Sequence, residues 1–491
     1  MHNGIPFANA VANVAFSKDN KVVTFGSAFV TPKSLASTTP SILVQSAISI
    51  AENALAGSFN GHPPTIEFFA TPSGAAVLTH VIQIENEASG AWFEAFVDAH
   101  AGTLVSVTNF IAQASYLVLP MQEEILTQGF QVLTDPEDLT SSPLGWHSTG
   151  TINTTVTSGN NAVSFKGAQT ATTTESADGL AFIFEQDPTL DPTVQINIDS
   201  ARTNAFYVVN TMHDLTYKYG FTEASFNFQS NNFGKGGVGN DQVTISVQDA
   251  GGTNNANFAT PADGQSGRTR MFLWTFTTPE RDGALENDIV THEMTHGVTN
   301  RMTGGGTGRC LQTTEAGGMG EGWSDTMVIW NEQDSAATPD FVLGKYVTNN
   351  PAGIRTHPYS ANATTNPLLY SDLQTRTEVH AIGEVWANML FNVYDNLVDL
   401  NGFSANARTD PTTSEGNVIF LHLFIDLLAI QPCNPTFLNA RDAWLQADVN
   451  HFGGANACAL WDAFASRGLG LGVGAANHTN SFLLPPACPP S

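Results

Sequence analysis

The chain has 491 residues, of which 42% are hydrophobic and 13% charged, with a formal net charge of −27 and a pI of about 4.6. That length allows two or three domains with large cores. The acidic balance excludes nucleic acid and anionic membranes as partners, since both require a basic face, and no run approaches the roughly 18 uninterrupted apolar residues of a membrane span.

Residues 1–113 read as a separate small α+β module. Met1-His2-Asn3-Gly4 has neither the basic start nor the apolar stretch of a signal peptide. Ser41 to Leu55 carries Ile42, Ala47, Ile48, Ala51 and Leu55 at helical spacing. Strand-like runs follow at Thr65–Ala70, Ala76–Ile84 and Trp92–Val97. The turn Asp98-Ala99-His100-Ala101-Gly102 then leads into a last strand, Thr103–Asn109.

Residues 114–285 are rich in Thr, Asn, Gly and aromatic side chains. Gln242–Val247 and Arg270–Thr275 read as strands, and Ile198 to Tyr219 as a helix. From 286 onward, helical patterns dominate: Asn287–Met302, Met319–Glu332, Val379–Leu397, Asn417–Ile430 and Pro435–Asn450. The apolar run Val418 to Ile430 is broken by His422 and Asp426 and reads as a buried helix. A β-rich half followed by a helical half predicts two lobes with a cleft between them.

The run Thr291-His292-Glu293-Met294-Thr295-His296 carries the chemistry. Val290, Met294 and Val298 form one line on the predicted helix, and His292 and His296 lie about 200° away at ~100° per residue. One face can pack while both imidazoles point into a cleft and bind one zinc ion, with Glu293 holding a water against it. An amphipathic helix with two incidental histidines has the same pattern. The run Gly320-Glu321-Gly322-Trp323-Ser324-Asp325 weighs against it, with Glu321 and Asp325 as mere solvated helix residues the bland alternative. Glu321 completes a three-ligand site and leaves a fourth position for water. Asp325, one turn later, accepts a hydrogen bond from the free ring N–H of a ligand histidine. Gly317, Gly318, Gly320 and Gly322 stand near the predicted helix start, where each interior glycine costs roughly 0.5–1 kcal/mol, and imply a close backbone approach. Glu293 serves as general base. His380 is the candidate donor to the oxyanion, with a structural role at a helix start as the even alternative.

None of the four cysteines, Cys310, Cys433, Cys458 and Cys488, forms a CxxC pair, so a cysteine zinc site is disfavoured. Two disulfides can form, in three connectivities. Sequons stand at Asn153, Asn362 and Asn477. With the enzyme reading, these features predict export, and with it a signal peptide that lies ahead of this chain.

HEMTHGVTNR, GGMGEGWSD, VHAIGEVWANML, NNANFATP at 254–261 and QPCNPTFLNARDA from Gln431 resemble the fungalysins, the secreted M36 metallopeptidases of fungi in the thermolysin-like clan. The resemblance covers most of the chain. It implies an α+β fold class: a small α+β propeptide module at 1–113, truncated at its N-terminus, followed by a two-lobed thermolysin-like catalytic domain. The β-rich lobe is 114–285 and the mainly helical lobe 286–491, with zinc in the cleft. It further implies one zinc on His292, His296 and Glu321, Glu293 as general base, His380 stabilising the transition state, and Asn255 and Ala256 pairing with substrate backbone. Arg355 stands where a substrate-carbonyl arginine is expected. Asp288, Glu332 and Asp340 match some calcium-binding carboxylates of the clan, whereas Val342 and Lys345 fall where a two-calcium site needs more, which leaves room for one calcium ion at most. Cys433 and Cys458 share the family-like C-terminal segment and are expected to pair.

The function expected is therefore that of a secreted, monomeric zinc endopeptidase acting on proteins and peptides, made as a zymogen with its propeptide as intramolecular inhibitor. Two rivals stand beside it. A catalytically silent binding or inhibitory protein on the same scaffold would have lost a ligand or the base, yet all four residues are present. A zinc aminopeptidase needs a group that recognises a free amine, and no GxMEN-like signature is present.

Overall fold

The computed structural model describes residues 1–491 apart from 11, 17–20, 28, 30–31, 72–73, 87–90, 110–113, 124–128, 168–173, 175, 177–178, 475 and 489–491. The chain divides into two compact units, Met1–Gln113 and Ala114–Ser491.

The first unit contains β1 (Ala12–Phe16), β2 (Val22–Ser27), β3 (Ser34–Leu35), α1 (Val44–Leu55), β4 (Ser58–Phe59), β5 (Thr65–Ala70), β6 (Ala75–Asn86), β7 (Ala91–Asp98) and β8 (Leu104–Asn109). The long strand β6 organises it, pairing with β3, β4, β5 and β7, while β8 extends the sheet beyond β7. Helix α1 covers this sheet through Ala47 and Ala51, which meet Ile82, Ile84, Ala95 and Val97. It starts at Val44 and not at Ser41, because Leu43 is extended at the N-cap, while the amides of Ser41 and Ile42 ahead of it donate to the Ala99 carbonyl. The β7–β8 turn is closed by Asp98, whose carboxylate accepts the amides of His100 and Ala101.

The second unit opens with β9 (Ser115–Val118), β10 (Gln131–Thr134), β11 (Ala162–Phe165) and β12 (Ala181–Phe182), then α2 (Gln195–Lys218), 24 residues long. Next come β13 (Val243–Ser246), β14 (Ala256–Ala259), β15 (Arg268–Met271), β16 (Leu273–Trp274) and β17 (Arg281–Asp282). The helical part comprises α3 (Asn287–Met302), α4 (Thr314–Glu332), α5 (Lys345–Thr348), α6 (Val379–Asn401), α7 (Gly416–Ile430), α8 (Phe437–Phe452) and α9 (Ala457–Ser466). The expected strand Arg270–Thr275 is divided between β15 and β16, and α9 was not anticipated.

A four-stranded sheet has the order β11-β13-β15-β14, leaving β14 as an edge antiparallel to β15. Helix α2 packs on β9, β11 and α3, with 18 of its residues buried. Val290, Met294 and Val298 are fully buried on α3, as the periodicity required. One continuous core joins the sheet side to the helical side.

Helix α4 begins at Thr314, five residues before the expected Met319, with the Thr313 hydroxyl accepting the Ala316 amide as its cap. The glycines therefore lie inside the helix, and two of them set its distance from α6. A Cβ on Gly318 would meet Ile382 Cγ2 at 2.3 Å, and one on Gly322 would meet the Gly383 carbonyl oxygen at 2.7 Å. Gly317 and Gly320 are not crowded in this way, with nearest neighbours at 3.6 and 3.8 Å.

The expected Cys433–Cys458 disulfide is not formed. Cys310 pairs with Cys433, and Cys458 with Cys488. Helix α8, about 24 Å long at 1.5 Å per residue, separates Cys433 from Cys458. Cys433 instead lies beside the loop ahead of α4, where the Asn434 amide donates to the Cys310 carbonyl. The sequon residues Asn153, Asn362 and Asn477 are all exposed.

Candidate metal centre

Helix α3 presents His292 and His296 one turn apart, and α4 crosses it with Glu321. The Nε2 atoms of the two histidines are 3.1 Å apart. Glu321 Oε2 lies 3.1 Å from His292 Nε2, and its Oε1 lies 3.5 Å from His296 Nε2. Two ligands each about 2 Å from a tetrahedral zinc stand about 3.3 Å apart, so these spacings fit one ion. Among the described residues this is the one cluster of three such side chains within metal-binding reach.

The opposite ring nitrogens also have partners. His292 Nδ1 lies 2.8 Å from Asp325 Oδ1, and His296 Nδ1 lies 3.3 Å from Ser324 Oγ. When a metal is bound at the two Nε2 atoms, each Nδ1 carries the proton; without one, both Nε2 atoms face each other and a carboxylate. Only a positive charge relieves that repulsion, so the donor set fits a cation.

The electrostatics agree. Burial disfavours a charged His292, but the Asp325 and Glu321 carboxylates outweigh it and push the ring up to about 10. Burial, reinforced by the His292 charge, pushes His296 down to about 4 against the pull of Glu321. Burial also opposes ionisation of Glu321 and Asp325, yet the imidazoles at Glu321, and Arg355 with His292 at Asp325, hold both well below the usual carboxylate range. Without a metal, one proton on His292 supplies the missing charge.

Glu293 follows His292 directly. Burial pushes its carboxyl up to about 8, and its Oε2 is buried with no hydrogen-bond partner in the protein. His380, the second residue of α6, is 46% exposed. Its Nε2 is 3.4 Å from Glu321 Oε2, and its Nδ1 is 2.6 Å from Glu378 Oε1. These groups line a cleft of about 730 Å³ together with Asn255, Ala256, Trp274, Ile289 and Arg355. Its volume suits a peptide segment of several residues. Ala256 opens the edge strand β14, and the Asn255 side-chain oxygen accepts its amide.

Arg355 reaches the cleft with its guanidinium fixed. Nε and one terminal nitrogen donate to Asp325 at 2.7 and 2.8 Å. Tyr359, fully buried, donates its hydroxyl to Asp325 Oδ2. The loop carrying both is tied to α6, where Glu384 accepts the Thr356 amide and Asn388 accepts the Ser360 amide.

Sequence reasoning passed over three of these groups. Ser324 stood inside the GEGWSD motif without a role. Glu384 stood one turn after His380. Nothing local marks Tyr359, which reaches the site through the tertiary fold.

The three carboxylates matched to calcium sites do not form a set within metal-binding reach of one another. Asp288, Glu332 and Asp340 form no three-ligand cluster among the described residues. Asp288 is fully buried and accepts the Gly344 amide, whereas Asp340 is exposed.

A family profile described as fungalysin metallopeptidase (M36) matches residues 115–473. Among similar proteins is an extracellular metalloproteinase MEP of Pyricularia oryzae, 45% identical over 411 residues, which cover 80% of this chain and 64% of that protein. One from Neosartorya fischeri is 38% identical over 513 residues, covering 96% of this chain and 80% of its own. The extracellular metalloproteinase 10 of Coccidioides posadasii is 38% identical over 527 residues, covering 99% and 83%. This chain thus spans just under two thirds of the Pyricularia protein and about four fifths of the other two. The HExxH helix, the crossing glutamate and the matched span of 115–473 lead to one conclusion: the chain belongs to the fungalysin family of metallopeptidases.

Proposed function

We propose that this protein is a secreted zinc endopeptidase made as a zymogen, with residues 1–113 as propeptide and Ala114–Ser491 as catalytic unit. The observation that carries the reading is the convergence of His292, His296 and Glu321 at one point of an open cleft, with the buried Glu293 beside them. His292, His296 and Glu321 would hold the zinc. When bound there, zinc lowers the pKa of a water toward ~7 and polarises the scissile carbonyl.

The chain's own groups do the rest. Glu293 takes a proton from the attacking water and passes it to the leaving amine. His380 donates to the developing oxyanion. Arg355, held by Asp325, presents its remaining N–H groups to a substrate carbonyl. Substrate backbone pairs along Asn255 and Ala256 at the sheet edge formed by β14, as an added strand. The cleft of about 730 Å³ runs past this edge, with Asn255, Ala256, Asn257 and Phe258 in its lining, room for substrate on both sides of the cut bond.

Secretion is supported by the names of the relatives, which are called extracellular, and by the two disulfides. The test is hydrolysis of a peptide blocked at its N-terminus. Internal cleavage that a chelator abolishes and zinc restores supports the reading. Cleavage only of peptides with a free amine would replace it with an aminopeptidase.

A further inference from the structure

Glu321, Ser324 and Asp325 stand at i, i+3 and i+4 on α4, so they share one face. That face meets the i, i+4 pair His292 and His296 on α3. Asp325 takes Nδ1 of His292 at 2.8 Å, and Ser324 Oγ lies 3.3 Å from Nδ1 of His296. One helix thus carries the third ligand and a separate partner for each histidine.

We infer that Ser324 is a positioning residue: its hydroxyl oxygen accepts the Nδ1–H of His296 and so turns the Nε2 lone pair toward the metal. The inference rests on the metallopeptidase reading. Three observations carry it. Ser324 is fully buried, so water does not compete for its hydroxyl. Asp325 cannot serve His296, because its two oxygens already accept four hydrogen bonds, one from His292, two from Arg355 and one from Tyr359. Nε2 of His296 faces His292 Nε2 and Glu321, so Nδ1 is the nitrogen left to bear the proton. The two ligands are therefore held unequally. A buried carboxylate stands behind His292, and a neutral hydroxyl stands behind His296.

Removing an outer partner of a metal-bound histidine typically weakens metal affinity 10- to 100-fold. For Ser324→Ala in the full chain, zinc affinity measured by competition with a chromogenic chelator is expected to fall about 10-fold, toward the lower end for a neutral partner. The melting temperature of the zinc-free protein should stay near that of the native chain. Zinc affinity within twofold of native overturns the inference, as does an affinity loss matched by a comparable loss of zinc-free stability.

A second measurement needs no variant. In the zinc-loaded native protein with 15N-labelled histidine, His296 should carry its proton on Nδ1, slow to exchange with solvent. A proton on Nε2 would contradict the inference. Neither readout uses hydrolysis. If zinc binds as described but blocked peptides stay intact, the peptidase reading falls and the role of Ser324 stands.

Discussion

Gly383 on α6 faces Glu321 on α4 with no room for a side chain: a Cβ at 383 would sit 2.6 Å from Glu321 Cβ and 3.0 Å from both Gly318 O and Gly322 N. Glycine inside a helix ordinarily costs about 1 kcal/mol relative to alanine. Its presence here sets the distance at which Glu321 approaches the two histidines.

Gly383→Ala therefore opposes helix propensity against ligand placement. The atoms it meets are backbone and a Cβ, which cannot swing aside. The expected result is zinc affinity lower by at least 10-fold, with a lower melting temperature. A variant more stable than the native chain, with unchanged zinc affinity, would show that the two helices separate freely.

The carboxylate behind His292 gives a second prediction. Asp325→Ala leaves Arg355 buried without its partner and His292 without its acceptor. Such losses strongly destabilise buried ion pairs, by about 3–5 kcal/mol. Zinc affinity should fall 10- to 100-fold. Chelator competition and a thermal melt measure the two effects separately.

The site was legible in the sequence where chemistry and period coincide. Val290, Met294 and Val298 marked the buried face of α3, and that alone aimed His292 and His296 at the cleft. The start of α4 was hidden, because Gly317 and Gly318 weaken the helical pattern there, although Gly318 serves a helix–helix contact. Ser324, Tyr359 and the Cys310–Cys433 pairing depend on which distant segments meet, and a one-dimensional pattern does not hold that information.

The two disulfides should differ in effect. Cys310–Cys433 closes a separation of 123 residues and Cys458–Cys488 one of 30. The chain-entropy model gives about 5 and about 4 kcal/mol. Leu311 and Gln312, directly after Cys310, line the cleft. Replacing Cys310 and Cys433 with serine should raise KM as well as lower the melting temperature. Replacing Cys458 and Cys488 should lower the melting temperature alone.

Stability should also depend on pH through Asp282. Burial pushes its carboxyl from an ordinary aspartate value of about 3.9 up to about 6. A carboxyl raised in the folded state contributes stability that is complete below its unfolded pKa and is lost as pH rises through its folded pKa. The loss falls between about pH 4 and pH 6 and amounts to about 3 kcal/mol. Chemical denaturation of native protein and Asp282→Asn across this window checks it. The pH-dependent loss should be smaller by that amount in the variant.

The central claim is that Glu293 performs proton transfer at a zinc site built by His292, His296 and Glu321. The most direct test measures bound zinc together with hydrolysis of a blocked peptide, for the native chain and Glu293→Gln, before and after proteolytic removal of residues 1–113. The account predicts about one zinc in both proteins, and cleavage by the native chain that rises once 1–113 is removed. It predicts a rate at least 10²-fold lower in the variant, as expected for loss of a general base. Zinc-loaded native protein that stays inert after removal of 1–113, or a variant that cleaves at the native rate, would contradict it.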